Sequence, residues 1–443
     1  MNPTADKTAA QYARRLARMI ACPTVSKEPH RTESPFVKLR EEVKDLFPLL
    51  HEKARLRLFG SDAWLYELPG AGPGSLLLMS HHDVAEVDDE WTVDPFEGAV
   101  RDGKLYGRGA VDTKTPLFAE MQALEELLAG GFVPAVTVYL ASSDNEEISG
   151  DGFPSIVAWF EENGIRPALV LDEGGAVIDP PLPGVKRKCA VLAMHEKGRH
   201  AYTLAARDDA GHAGLSPRKR PATVRVCDLV SRLSSKNPFE RALPPAVAAM
   251  FKTLSADMPF PLRPVFGHPN LFGPLLARLM PKFGAQAAEM AGTTFTLRGI
   301  RGGKFGETPN RCGAEILLRS VDAGSFARDL ARLEALAAKY GVFLERGDMQ
   351  EDYVPSALGS AQYEFVRDCV QAVFPQAAVS PFLLHAGTDA RFITPLCDAV
   401  VRFAPIAITN AQLASVHGKD ENIDLDALPP AVTFYKTVLL RMH

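Results

Sequence analysis

Apolar residues recur at helical spacing over 12–20 and again over 36–50, predicting two helices near the N-terminus. Short apolar or alternating runs at Arg55–Phe59, Ala63–Leu68 and 75–80 have the pattern of strands. The segment 98–106 reads as a hairpin turned by Asp102 and Gly103, a pair that accepts the positive φ of tight turns. Leu117, Phe118, Met121, Leu124 and Leu128 then form one stripe of a helix starting near Thr113, with Pro116 in its first turn and Gly130-Gly131 at its end. Strand, helix and strand follow at 136–141, 153–162 and 168–171. Strands separated by helices predict an α/β layer with a mixed, mainly parallel sheet flanked by helices.

The middle of the chain changes character. Strands are predicted at 200–206, 293–298 and 314–319, with helices at 222–233 and 325–339. Between Lys236 and Gly292 stand nine prolines in 57 residues, yet 271–280 keeps helical apolar spacing. That combination predicts an ordered insertion and not a linker. After Val342 the alternation of strand and helix resumes. The expected organisation is a large domain, 1–194 and 323–443, interrupted by a smaller α+β domain, 195–322, that carries the insertion 236–292.

Composition narrows the function classes. The 443 residues are 46% hydrophobic and 23% charged, which is globular and excludes wholesale disorder. No run approaches the length of a membrane span, and the first residues lack a signal-peptide pattern. A net charge of −5 without a long basic run argues against nucleic acid. Six cysteines, far apart and without a C-x-x-C pair, read as reduced thiols. A soluble cytoplasmic protein with neither a nucleic-acid nor a membrane partner is expected.

Candidate chemistry gathers where predicted strands end. The run 75–80 leads into His81-His82-Asp83. Side chains alternate along a strand, so His81 and Asp83 share a face, and a carboxylate so placed can steady a ligating imidazole. Asp112 stands where the next helix begins, a position that suits a helix N-cap as well as a metal ligand. Glu146-Glu147 and Asp172-Glu173 each follow an apolar strand, and His417 lies in a loop near the C-terminus. Read singly, these are also ordinary turns, caps and solvated acids. Together they are the nitrogen and oxygen donors that suit zinc, at the strand ends where open α/β sheets bind ligands.

The chain resembles the dinuclear zinc metallopeptidases that include aminoacylase, carboxypeptidase G, succinyl-diaminopimelate desuccinylase and carboxypeptidase S. The resemblance runs through S-H-H-D-V (80–84), W-x-x-D-P-F (91–96), Y-G-R-G-A-V-D-T-K (106–114), N-E-E-I-S-G (145–150), L-D-E-G-G (171–175), A-G-H-A (210–213), T-D-A-R (388–391) and V-H-G-K-D-E (416–421). The insertion and the V-H-G ending look most like the carboxypeptidase S and N-acyl-amino-acid hydrolase branch.

The resemblance implies two divalent ions, zinc by preference with cobalt or manganese as substitutes. It implies His81 on one ion, His417 and Glu147 on the other, Asp112 bridging, and Glu173 or Asp172 completing the first. Glu146 resembles the general base and Asp83 the acid that orients His81. His212, Arg319, Gly387 and Thr388 resemble substrate-binding positions, His212 acting across a homodimer built through the smaller domain. One departure falls at 302–310, where Gly306 stands at the position of an expected asparagine. A water shared by two metals about 3.5–4 Å apart would be activated for attack on an amide carbonyl. The implied function is hydrolysis of an amide or peptide bond beside a free carboxylate, in an N-acyl amino acid or short peptide. The alternatives are a narrow dipeptidase and a non-catalytic metal-binding scaffold.

Overall fold

A computed structural model of the chain describes residues 3–26, 34–87, 90–208, 220–302, 311–352 and 356–443. The chain divides into two compact units, one of Met1–Met194, Ser356–Phe382 and Thr388–His443, the other of His195–Pro355 and Leu383–Gly387.

The first unit is organised by a mixed sheet. Among the described residues its strands run in the order Arg55–Phe59, Ala63–Leu68, Thr137–Ser143, Ser75–His81, Leu169–Asp172, Val400–Arg402, Cys189–Glu196 and Ala378–Leu384. Ser75–His81 lies parallel to both Thr137–Ser143 and Leu169–Asp172, and Leu169–Asp172 is parallel to Val400–Arg402. The pairs between Arg55–Phe59 and Ala63–Leu68 and between Ala63–Leu68 and Thr137–Ser143 are antiparallel. Parallel neighbours deliver their carboxyl ends to one edge, and that edge receives His81, Glu146, Glu147 and Glu173.

The central strand is apolar on both faces because both are covered. Leu76, Leu77, Leu78 and Met79 are at most 2% exposed. Each such side chain contributes about 1.5–3 kcal/mol on burial, enough to hold a polar strand end in place. Leu76 and Leu78 join a core with the helices Lys114–Ala129 and Leu428–Arg441, while Leu77 and Met79 pack with Phe153, Ile156 and Phe160 of the helix Gly152–Glu162. The turn at Asp102 and Gly103 has φ of 49° and 74°, the left-handed pair expected from the sequence. The helix expected over 36–50 is two, Pro35–Leu46 and Pro48–Lys53. Pro48 has no N–H to continue the first helix, so it opens the second.

The second unit is built on an antiparallel sheet in the order Thr294–Arg301, Arg311–Ser320, Gly198–Arg207, Phe343–Glu351. The helices Ala222–Ser235 and Ala323–Lys339 bury Val226, Leu229, Phe326 and Leu333 against Leu204, Ala314, Ile316 and Leu318. This unit therefore runs to Pro355, past the boundary expected at 322. Phe343–Glu351 pairs along Gly198–Arg207, and the helix before it covers the same core. The proline-rich insertion is helical, with Pro245–Leu254, Leu262–Gly267 and Pro269–Leu279.

Candidate metal centre

His81 is the last residue of its strand, and register places it beside Ser143 on the parallel neighbour. The chain leaving Ser143 turns into the short 3-10 helix Glu146–Ile148, which brings Glu146 and Glu147 back over the strand ends. Leu169–Asp172 ends one residue before Glu173. Asp112 comes from the loop entering the helix Lys114–Ala129, and His417 from the loop after the helix Asn410–Ser415.

Two histidines face one carboxylate. His81 Nε2 is 3.1 Å from Asp112 Oδ1, and His417 Nε2 is 3.0 Å from Asp112 Oδ2. His417 Nε2 is also 3.0 Å from Glu147 Oε2, and His81 Nε2 is 3.4 Å from Glu173 Oε1. Donor atoms of His81, Asp112 and Glu147 lie within 4.8 Å of one another, as do those of His81, Glu146 and Glu173. Asp172 is in neither group, and its negative charge disfavours ionisation of the buried Glu120 and of Glu173.

Asp83 sits behind His81. Its carboxylate is 3.2 Å from His81 Nδ1 and accepts hydrogen bonds from Ser26 Oγ and the Glu147 amide. His81 Nδ1 also lies 2.9 Å from the Asp83 carbonyl. With Nδ1 engaged on that side, Nε2 is turned toward Asp112. His82 points the other way, stacked on Trp64 at 4.0 Å with Nδ1 on Ser142 Oγ.

The electrostatics follow from four carboxylates crowding two imidazoles. Burial alone would depress His81, but Glu173, Asp112 and Asp83 hold its imidazole well above the ordinary range. His417 is pushed up to about 10 by its hydrogen bonds to Asp112 and Glu147. Burial would raise Asp112, and its bonds to His417 and His81 instead hold it well below the usual carboxylate range. Glu173 is pushed up to about 8, chiefly by burial. Burial also raises Glu146 well above an ordinary glutamate, against the opposing charge of His81. The crowded carboxylates favour positive charge on the imidazoles, a demand that divalent cations would meet. Glu147 Oε1 is buried without a hydrogen-bond partner among the described residues, and a cation would satisfy it. The nitrogen and oxygen donor set fits metal.

Glu421, noticed in the sequence only as the end of a motif, ties the two ligand loops together. It is fully buried. Its Oε1 accepts the Val111 and Asp112 amides at 2.7 and 3.1 Å, and Oε2 accepts Arg108 Nη1 and the Gly109 amide at 2.9 and 3.2 Å. The strand Asn422–Asp424 pairs with Lys104–Tyr106, so the loops bearing His417 and Asp112 diverge from one ladder with Glu421 at the fork.

The expected substrate residues stand as follows. His212 lies outside the described residues, as does Gly306. Arg319 is half-buried on Arg311–Ser320, an interior strand of the second unit's sheet, and its guanidinium donates to the His385 carbonyl. Gly387 belongs to the same unit, where an added Cβ would sit 3.5 Å from Arg199 and Glu196, ordinary contact distance. Thr388 belongs to the first unit and is 3% exposed; its hydroxyl accepts from Arg402 and its carbonyl from Arg391.

Residues 77–441 match the family described as Peptidase family M20/M25/M40. The chain is 31% identical over 378 residues to the N-fatty-acyl-amino acid synthase/hydrolase PM20D1 of Homo sapiens, an alignment covering 84% of this chain and 75% of that one. In fold it is similar to an M20 family metallo-carboxypeptidase from Sulfolobus solfataricus, with a TM-score of 0.67 at 18% identity over 97% of this chain and 98% of that chain. It is also similar to a dinuclear metal binding peptidase of the same family from Bacillus subtilis, with a TM-score of 0.57 at 13% identity over 97% and 98%.

Proposed function

The chain belongs to peptidase family M20/M25/M40, and from that premise we propose that it hydrolyses an amide or peptide bond beside a free carboxylate. N-acyl amino acids and short peptides are the substrate class. One observation carries the reading: Asp112 turns its two oxygens to His81 and His417, with Glu146 beside His81 and Glu173. In the proposed arrangement His81 and Glu173 would hold one divalent ion, His417 and Glu147 a second, and Asp112 would serve both. Zinc suits these donors, and cobalt or manganese would substitute. Bound divalent metal acidifies a coordinated water and polarises an amide carbonyl.

The remaining roles belong to the chain. Asp83, anchored by Ser26 and the Glu147 amide, fixes the ring of His81. Glu146, raised by burial, accepts a proton from the attacking water and passes it to the departing nitrogen, as a carboxylate poised nearer neutrality can. Arg319 would pair with the substrate carboxylate through a planar guanidinium. A homodimer through the smaller unit belongs to the same proposal. It draws support from Thr294–Arg301, an edge strand that exposes Leu297 and Ile300. So does a cytoplasmic location, supported by six free cysteines.

The test is hydrolysis of a panel of N-acyl amino acids, from acetyl to long-chain acyl, and of dipeptides. It is run on protein stripped by chelator and reloaded with zinc, cobalt or manganese. Turnover that returns with two metal equivalents is expected. Absence of turnover on every member at full metal loading would leave a metal-binding scaffold.

A further inference from the structure

The helix Pro269–Leu279 is apolar on both sides. Gly273, Leu276 and Ala277 are buried against the rest of the insertion, while Leu271 and Leu275, one turn apart on the opposite face, are 73% and 51% exposed. Arg278 and Lys282 continue that outward stripe, and both are exposed. Phe260 and Phe283, before and after this helix, are 86% and 39% exposed. Four large apolar side chains left this exposed on one insertion call for an occupant.

Charge identifies it. Between 241 and 284 stand five cations, Arg241, Lys252, Arg263, Arg278 and Lys282, against the single acid Asp257, in a chain whose net charge is −5. Beside the stripe lies a recess of about 590 Å³ with Arg241 and Arg278 among apolar walls that include Phe239, Leu243, Pro269 and Pro274. Glu240 also lines it, but its carboxylate is held by Arg332 at 2.8 Å. A two-fold contact with a second copy would set this cationic patch against itself. An anionic surface with an apolar interior meets both features, since guanidinium and ammonium groups bind phosphates while Leu and Phe side chains enter the acyl boundary.

We propose that the insertion docks the protein on an anionic phospholipid surface through Phe260, Leu271, Leu275 and Phe283, with Arg241, Arg278 and Lys282 on the headgroups. This revises the expectation of no membrane partner. None of the described helices is long and apolar enough to cross a bilayer, and lying on one requires only an amphipathic face.

Co-sedimentation of the full chain with vesicles tests the proposal without reference to catalysis. Phosphatidylcholine vesicles containing phosphatidylserine should retain the protein, and phosphatidylcholine alone should not. Raising the salt should release it. Leu271→Asp/Leu275→Asp should lower binding at least roughly tenfold, and Arg278→Glu/Lys282→Glu likewise, both with unchanged thermal unfolding because the sites are exposed. Undiminished binding by either variant, or no binding by the native chain, overturns the proposal. So does a smaller oligomer for Leu271→Asp/Leu275→Asp without any vesicle binding, which would assign the face to a second copy.

Discussion

Asp112 and Glu146 are both carboxylates in the same cluster, yet their surroundings divide their work. Asp112 lies between two imidazoles and is held anionic, whereas Glu146 is raised by burial. Glu146→Gln should therefore keep metal content near the native level while kcat falls about 10²–10⁴-fold, the usual worth of a general acid–base. Metal analysis beside turnover numbers checks this, and near-native kcat removes Glu146 from the reaction. Asp112→Asn should lose metal together with activity, because it weakens a donor to both positions. Arg319 gives a test of substrate binding. A hydrogen bond to a charged group contributes about 1.5–3 kcal/mol, so Arg319→Ala should lose roughly tenfold to a hundredfold in kcat/KM on free acids. Carboxamide analogues should lose much less; equal losses on both would point away from a carboxylate contact. His417 carries a further local cost, since its φ of 59° lies in the left-handed region. That conformation costs a non-glycine residue about 1–2 kcal/mol. The imidazole is kept there by a loop whose neighbour Asp420 shares the left-handed region and accepts from Thr92.

Elements explain which parts of this site were legible in the sequence. His81, Glu147 and Glu173 were readable because apolar strands announce themselves, and whatever follows them in a parallel sheet emerges at one edge. Phe343–Glu351 was harder, since it reads F-L-E-R-G-D-M-Q-E with a mostly half-exposed surface and no clean alternation. The split at Pro48 was visible as a residue but hidden by a stripe that continues across it. Glu421 closes the motif V-H-G-K-D-E, but nothing local in the sequence marks it as a tie between loops. It is one charged residue in a loop of charged residues, and only the pairing of Asn422–Asp424 with Lys104–Tyr106 carries it beneath Asp112. Its carboxylate fills four donors at once, so Glu421→Gln puts an amide NH2 against groups that can only donate. The variant should bind metal about 10- to 100-fold more weakly, the usual effect of losing a partner that orients a ligand loop. Metal titration of stripped protein measures it. Unchanged affinity with a lowered melting temperature would make Glu421 a purely structural tie.

At the scale of the molecule, division of labour follows the division of the chain. His81, Asp83, Asp112, Glu146, Glu147, Glu173 and His417 all belong to the first unit, although His417 is drawn from a segment far along the chain. The sheet of the second unit carries Arg319, and its insertion carries the basic, apolar face. Sequence reading recognised an interrupted domain because helical and strand periodicities change character near residue 195. It placed the return at 322 because a helix followed by a strand reads the same in either unit. The partition has a thermodynamic consequence. A ligand stabilises only the folded form that contains its site, by about 2.7 kcal/mol at roughly a hundredfold excess of free ligand over Kd. Calorimetry of stripped and metal-loaded protein should therefore show one unfolding transition moving upward with metal and another staying in place. The moving transition should belong to the first unit, identified by its loss of response in Asp112→Asn protein. Movement of both transitions by the same amount would mean that the two units unfold as one cooperative body, and movement of neither would remove the metal from the folded state of the first.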